Sequence, residues 1–111
     1  MRLVLFSALF LGGIAFLFSQ NSIKKDTLSF IVNGNCGMCK KTIESVQYEK
    51  GVVVSDWNKA TKEIIVIYKP HKIREDEIHK FIAKKGYDTN LIKAEKTDYE
   101  KLHFCCKYRN D

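Results

Sequence analysis

The sequence has few of the features on which most enzymes depend. It contains one proline and three histidines among 111 residues. It has no Gly-rich phosphate loop, no Ser/His/Asp set and no paired carboxylates, so it offers no basis for an enzyme class that uses them. The net charge of +6 comes without a nucleic-acid-binding motif, and the lysines are spread along the chain, which indicates a solvated surface. We therefore expect one small domain that is not an enzyme and has no nucleic-acid partner.

Long apolar runs are confined to the N-terminus. Arg2 is the only charge in residues 1–20, and residues 3–18 are almost continuously apolar. This pattern predicts a signal peptide over 1–20, cleaved near Ser19 or Gln20, with an uncleaved membrane anchor as the alternative. We therefore expect an exported protein of the bacterial periplasm or cell envelope.

Strand and helix patterns alternate along the rest of the chain. The predicted strands are 27–33, 52–57, 63–68 and 89–94, and the predicted helices are 37–49 and 75–85. This order predicts an α+β fold, a ferredoxin-like βαββαβ sandwich whose four-stranded antiparallel sheet carries both helices on one face. A polar lead-in over 21–26 would precede a domain over 27–94, and a C-terminal tail over 95–111 would follow it.

Cys36 and Cys39 form a CxxC motif at the junction between the first predicted strand and helix. A helix N-terminus stabilises the thiolate, which is the form that binds metal. Two thiolates without a fixed third ligand suit soft ions, Cu(I) above all and Hg(II) by the same logic. Zn(II), which prefers four ligands, and Cd(II) are further candidates.

The segment from Asn33 to Glu44, which contains the motif, resembles the heavy-metal-associated domains, the copper-chaperone and mercury-binding modules. The resemblance extends over 27–94 and includes Lys85-Gly86-Tyr87-Asp88. It implies that Cys36 and Cys39 bind the ion and that Tyr87 supports the metal loop without binding it. Together with the predicted signal peptide, it implies an envelope metal carrier or scavenger, with a membrane metal transporter or another metal-binding domain as partner.

Three residues depart from the family pattern. Gly34 stands where the family usually has a methionine that packs beneath the loop, so we expect different packing here. Met38 lies inside the motif, either as a thioether donor or as a half-exposed loop residue. Lys40 replaces a commonly apolar residue and predicts a more cationic loop.

A second pair, Cys105 and Cys106, lies in the tail. It could complete a four-thiolate site with the CxxC, form a separate site with His103, or form disulfides, which an exported chain permits. The last predicted strand would carry the chain ~20 Å away from the motif. Ten residues of helix return only ~15 Å. We therefore expect a helical tail to end short of the CxxC motif and an extended tail to reach it.

Two other functions compete with metal binding. CxxC also occurs in thiol–disulfide oxidoreductases, which normally place Trp before the pair and a cis-proline opposite it, whereas Pro70 ends a predicted strand here. A disulfide-stabilised domain without metal is the other alternative. His71 and His79 are predicted to be surface residues.

Overall fold

The structure, a computed structural model, describes residues 24–110. The predicted signal peptide lies outside the described residues. Within 24–110, no helix has both the length and the apolar character needed to span a membrane. The strands are β1 (Asp26–Ile31), β2 (Val52–Trp57) and β3 (Glu63–Tyr68). The helices are α1 (Gly37–Ile43), extended by a 3-10 turn (Glu44–Tyr48), α2 (Glu75–Lys84) and α3 (Lys96–Glu100), with a last 3-10 turn at Phe104–Cys106.

The three strands form an antiparallel sheet in the order β1-β3-β2. The side chains of β3 alternate, with Ile64, Val66 and Tyr68 buried and Ile65 exposed, because successive residues of a strand point to opposite faces. β3 pairs with β1 from Asp26↔Tyr68 to Ile31↔Glu63. The sheet therefore has one apolar face turned to the core.

Both longer helices contribute to the core on that face. Ile43 of α1 and Ile78 and Ile82 of α2 are fully buried and belong to the same hydrophobic cluster as Ile64 and Val66 of β3. The opposite face of the sheet is exposed. An antiparallel sheet with one covered face and one solvated face is the arrangement predicted from the sequence.

The prediction of a fourth strand over 89–94 is wrong. This segment makes one isolated antiparallel bridge, Val32↔Thr89. The Thr89 hydroxyl oxygen accepts hydrogen bonds from the backbone amides of Leu91 (3.2 Å) and Ile92 (3.0 Å). A threonine side chain that bonds nearby backbone groups offers the chain an alternative to a sheet ladder, so the chain turns here instead of running along β1.

The prediction of His79 as a surface residue is also wrong. Its side chain is 1% exposed, stacks on Phe30 with ring centroids 3.9 Å apart, and shares a 2.7 Å hydrogen bond with the Thr89 hydroxyl. Burial lowers the pKa of the imidazole, because removal from water disfavours its charged form. His71, in contrast, is exposed as expected.

Candidate metal centre

The metal loop, residues 33–39, leads from β1 into the first turn of α1 and is held from two sides. The amide of Asn33 donates to the carbonyl of Asp88 at 3.0 Å. The Lys62 ammonium donates to the Gly34 carbonyl. Cys36 is the N-cap of α1, with an extended backbone, and its carbonyl accepts the amide of Lys40 at 3.1 Å. The loop is therefore fixed by the β2–β3 turn and by the segment after α2.

The CxxC motif brings its two sulfurs together at the start of α1. The Sγ atoms of Cys36 and Cys39 are 3.4 Å apart, and Cys39 is fully buried while Cys36 is half-buried. Hydrogen bonds from the Cys39 backbone amide and thiol to the Cys36 sulfur, with a smaller one from Cys106, lower the pKa of Cys36 from 9.0 to about 6. Above that pH Cys36 is a thiolate, the form that binds metal.

The tail brings one further sulfur to this pair. The Sγ atom of Cys106 lies 3.5 Å from that of Cys36, and the sulfurs of Cys36, Cys39 and Cys106 all lie within 4.8 Å of one another. Cys106 is 3% exposed, and this burial raises the pKa of its thiol well above the usual range. All four cysteines of the chain are free thiols in the structure.

The expectation that a helical tail falls short of the CxxC is therefore wrong. A strand over 89–94 would carry the chain away from the motif, and this strand does not form. The tail contains helix, at Lys96–Glu100 and Phe104–Cys106. It nevertheless starts close to the metal loop, because the amide of Ala94 donates to the carboxylate of Asp88 at 2.7 Å and the Asp88 carbonyl accepts from the amide of Asn33. A direct link joins the two, because the Asn35 side-chain amide donates to the carbonyl of Lys107 at 3.0 Å.

Polar contacts of Tyr108 and Arg109 also fix the tail beyond Cys106. The Tyr108 hydroxyl donates to the carbonyl of Gly86 (2.7 Å) and accepts from the amide of Asp88 (2.8 Å). The Arg109 guanidinium forms a 2.7 Å ion pair with the Asp88 carboxylate, both side chains being about 15% exposed. Tyr108 and Arg109 were missed by sequence reasoning, because one aromatic and one basic residue in a charged tail form no pattern that reveals their partners.

Tyr87, which the family resemblance suggested as a support of the metal loop, is part of the buried core next to the cysteines. It is 1% exposed and stacks on Tyr108 with centroids 6.1 Å apart. Burial, followed by the neighbouring thiols of Cys39 and Cys106, raises the pKa of its phenol far above the usual range. Tyr87 is therefore a neutral group beneath the three sulfurs.

Several solved structures are similar to the described domain. The CopZ metallochaperone has 29% identity and a TM-score of 0.56 over 58% of this chain and 98% of that one. The water-soluble region of the P-type ATPase CopA from Bacillus subtilis has 28% identity and a TM-score of 0.58, over 61% of this chain and 46% of that one. Oxidised MerP from Ralstonia metallidurans CH34 shares the fold. It has 23% identity and a TM-score of 0.57 over 60% of this chain and 96% of that one.

The predicted resemblance to the heavy-metal-associated domains is confirmed. No protein-family model matches the chain, and no curated protein matches it either.

The structure explains why the metal loop of this chain has glycine at position 34. A Cβ atom added at Gly34 would lie 3.0 Å from the Trp57 ring and 3.0 Å from Ile43. Trp57 is fully buried, and its indole N–H donates to the carbonyls of Val32 and Lys62, each at 3.1 Å. The tryptophan therefore fills the space beneath the loop that a larger residue at position 34 would need.

The other candidate donors lie outside the group of three sulfurs. Met38 is 50% exposed, and Cys105 and His103 are also exposed. The Lys40 ammonium is directed to Glu44 (2.5 Å) and to the Trp57 carbonyl (2.6 Å), so much of its charge is compensated. Among the residues described, the close thiol donors are thus Cys36, Cys39 and Cys106.

Proposed function

We propose that the protein binds a soft heavy-metal ion through Cys36 and Cys39 and carries or sequesters it without catalysing a reaction. The observation that carries this proposal is the 3.4 Å approach of the two sulfurs at the first turn of α1. A pair of soft donors at one helix N-terminus suits Cu(I) or Hg(II) better than ions that prefer oxygen ligands. Similarity to the CopZ metallochaperone and to a soluble region of CopA supports the same function.

The difference between the two thiols suggests how an ion would enter and leave. Cys36 is half-buried and its pKa is lowered to about 6, so it offers an accessible thiolate for first contact. Cys39 is fully buried and would bind second. A partner thiolate would reach the ion from the Cys36 side, which is the geometry that stepwise exchange of sulfur ligands needs.

The cellular role follows from the predicted signal peptide over 1–20. We propose that the mature domain acts in the cell envelope, in metal transport or homeostasis. The partner would be a membrane metal transporter or another metal-binding domain. The predicted division into a lead-in (21–26), a metal-binding domain (27–94) and a tail (95–111) belongs to this proposal.

Native mass spectrometry of the reduced full-length protein tests the function. Cu(I), Hg(II), Zn(II) and Cd(II) would be offered in competition to the wild type, to a Cys36→Ser/Cys39→Ser double variant, and to Cys105→Ser as the matched control. We expect one soft ion bound by the wild type and by Cys105→Ser, and none retained by the double variant. Equal binding by the double variant would overturn the proposal.

The competing thiol–disulfide function is tested in the same preparation. The close sulfurs and the lowered pKa of Cys36 would also serve redox exchange. We expect no catalysis of insulin reduction. Turnover that depends on Cys36 would replace the carrier function with a redox one.

A further inference from the structure

Cys106 lies where a third ligand of the CxxC ion would lie. Its sulfur is 3.5 Å from that of Cys36 and within 4.8 Å of that of Cys39. Cys105, one residue earlier, is exposed. The two tail cysteines thus have different environments although they are chemically identical neighbours.

The position of Cys106 is set by the tail and not by the metal loop alone. Before Cys106, Tyr99 is buried and meets Tyr108 edge to face with centroids 5.0 Å apart. After it, Arg109 pairs with Asp88 and donates to the carbonyl of Ala94 at 2.7 Å. These contacts hold the turn that carries Cys106 against the metal loop. Its approach to Cys36 is therefore a property of the folded tail.

The number of thiolates and their burial determine which ion charge the site favours. Three thiolates carry three negative charges, so a monovalent ion leaves two uncompensated and a divalent ion leaves one. Because net charge is costly to remove from water, and Cys39 and Cys106 are buried, the divalent ion is favoured. Zn(II) would still need a fourth ligand, and Cys105 and His103 are both exposed.

We propose that Cys106 is the third sulfur ligand and that it shifts the site from Cu(I) towards a soft divalent ion, represented here by Hg(II). This inference rests on the proposed function, since it concerns the same ion. On binding, the remaining S–H bonds break, metal–sulfur bonds form and the protons pass to the buffer, with no electron transfer. The tail thereby adds a third thiolate to the two of the CxxC motif.

X-ray absorption spectroscopy of the Hg(II)-loaded, full-length protein counts the sulfur ligands directly. We expect three sulfurs in the wild type, two in Cys106→Ser and three in the matched control Cys105→Ser. In competition titrations, Cys106→Ser should lower the ratio of Hg(II) to Cu(I) affinity by more than about tenfold, since loss of even an outer-shell partner costs roughly 10–100-fold. Far-UV circular dichroism checks that each variant is folded.

The outcomes separate this inference from the proposed function. Two sulfurs around Hg(II) in the wild type would overturn the role of Cys106 while leaving the Cys36–Cys39 site intact, and this measurement needs no variant. Loss of a sulfur in Cys105→Ser but not in Cys106→Ser, or an unchanged affinity ratio in Cys106→Ser, would also overturn it. Failure of the wild type to bind either ion better than the Cys36→Ser/Cys39→Ser variant would instead refute the proposed function.

Discussion

The two cysteine pairs of this chain differ in how the backbone orients their side chains. Cys36 and Cys39 are three residues apart at the start of a helix, where side chains of this spacing lie on one face, and their sulfurs are 3.4 Å apart. Cys105 and Cys106 are adjacent in a 3-10 turn, where successive side chains point about 120° apart. One pair therefore brings its two sulfurs together, and the other buries one thiol and exposes the other.

Loss of a thiol from each pair should give the largest contrast. Cys39→Ser removes a buried sulfur that faces Cys36, so we expect the affinity for Hg(II) or Cu(I) to fall by more than about 100-fold, beyond the loss of an outer-shell partner. Cys105→Ser, whose side chain is exposed, should bind as the wild type does. Competition with a calibrated thiol chelator measures both. Similar losses in the two variants would show that the pairs act alike.

The support beneath the metal loop can be broken without touching a sulfur. Gly34→Ala places a methyl group 3.0 Å from the Trp57 ring, and overpacking of a filled core should lower the free energy of unfolding by about 1–3 kcal/mol. Urea denaturation of the reduced, metal-free protein measures this. The matched control is Gly37→Ala, where a Cβ meets nothing within 4 Å. Equal stability of the two variants would mean that Trp57 does not limit position 34.

The contacts that hold the tail can also be removed without changing a cysteine. Tyr108→Phe removes the hydroxyl that bonds Gly86 and Asp88, and the unpaired backbone groups should cost about 1–2 kcal/mol of stability. We expect faster alkylation of Cys106 in the metal-free protein, with Cys36 and Cys39 unaffected. Tyr48→Phe, at a tyrosine that is 81% exposed, is the control. An unchanged rate at Cys106 would show that the hydroxyl does not hold the tail.

The smallest contrast concerns the pKa values of one thiol from each pair, Cys36 and Cys106. The lowered pKa of Cys36, about 6, means that its thiolate forms as the pH rises through that value. Burial raises the pKa of Cys106, which stays a thiol at neutral pH. We expect alkylation of Cys36 in the metal-free protein to level off just above pH 6, with a modest rate because nucleophilicity falls with pKa. A midpoint near the ordinary thiol value of 9.0 would contradict the hydrogen-bonded arrangement.

The fold could be predicted from local sequence where local patterns were consistent. β3 has period-2 alternation, and Ile78 and Ile82 mark the inner face of α2, so both elements were predicted close to their observed bounds. The strand predicted over 89–94, in contrast, does not form. A single hydroxyl, that of Thr89, satisfies two backbone amides there and replaces the ladder. A propensity for strand does not reveal a competing side-chain hydrogen bond.

In the candidate site, too, local features were predictable from the sequence and long-range contacts were not. Cys36 and Cys39 were identified because their spacing and their place before a helix are local properties, which the sequence determines by itself. Which tail cysteine turns inward was decided by the tertiary structure, through Tyr108 and through Arg109 on Asp88. The physical reason is that Cys36 and Cys106 are 70 residues apart. Their approach depends on a strand that fails to form and on contacts made only after the chain has folded.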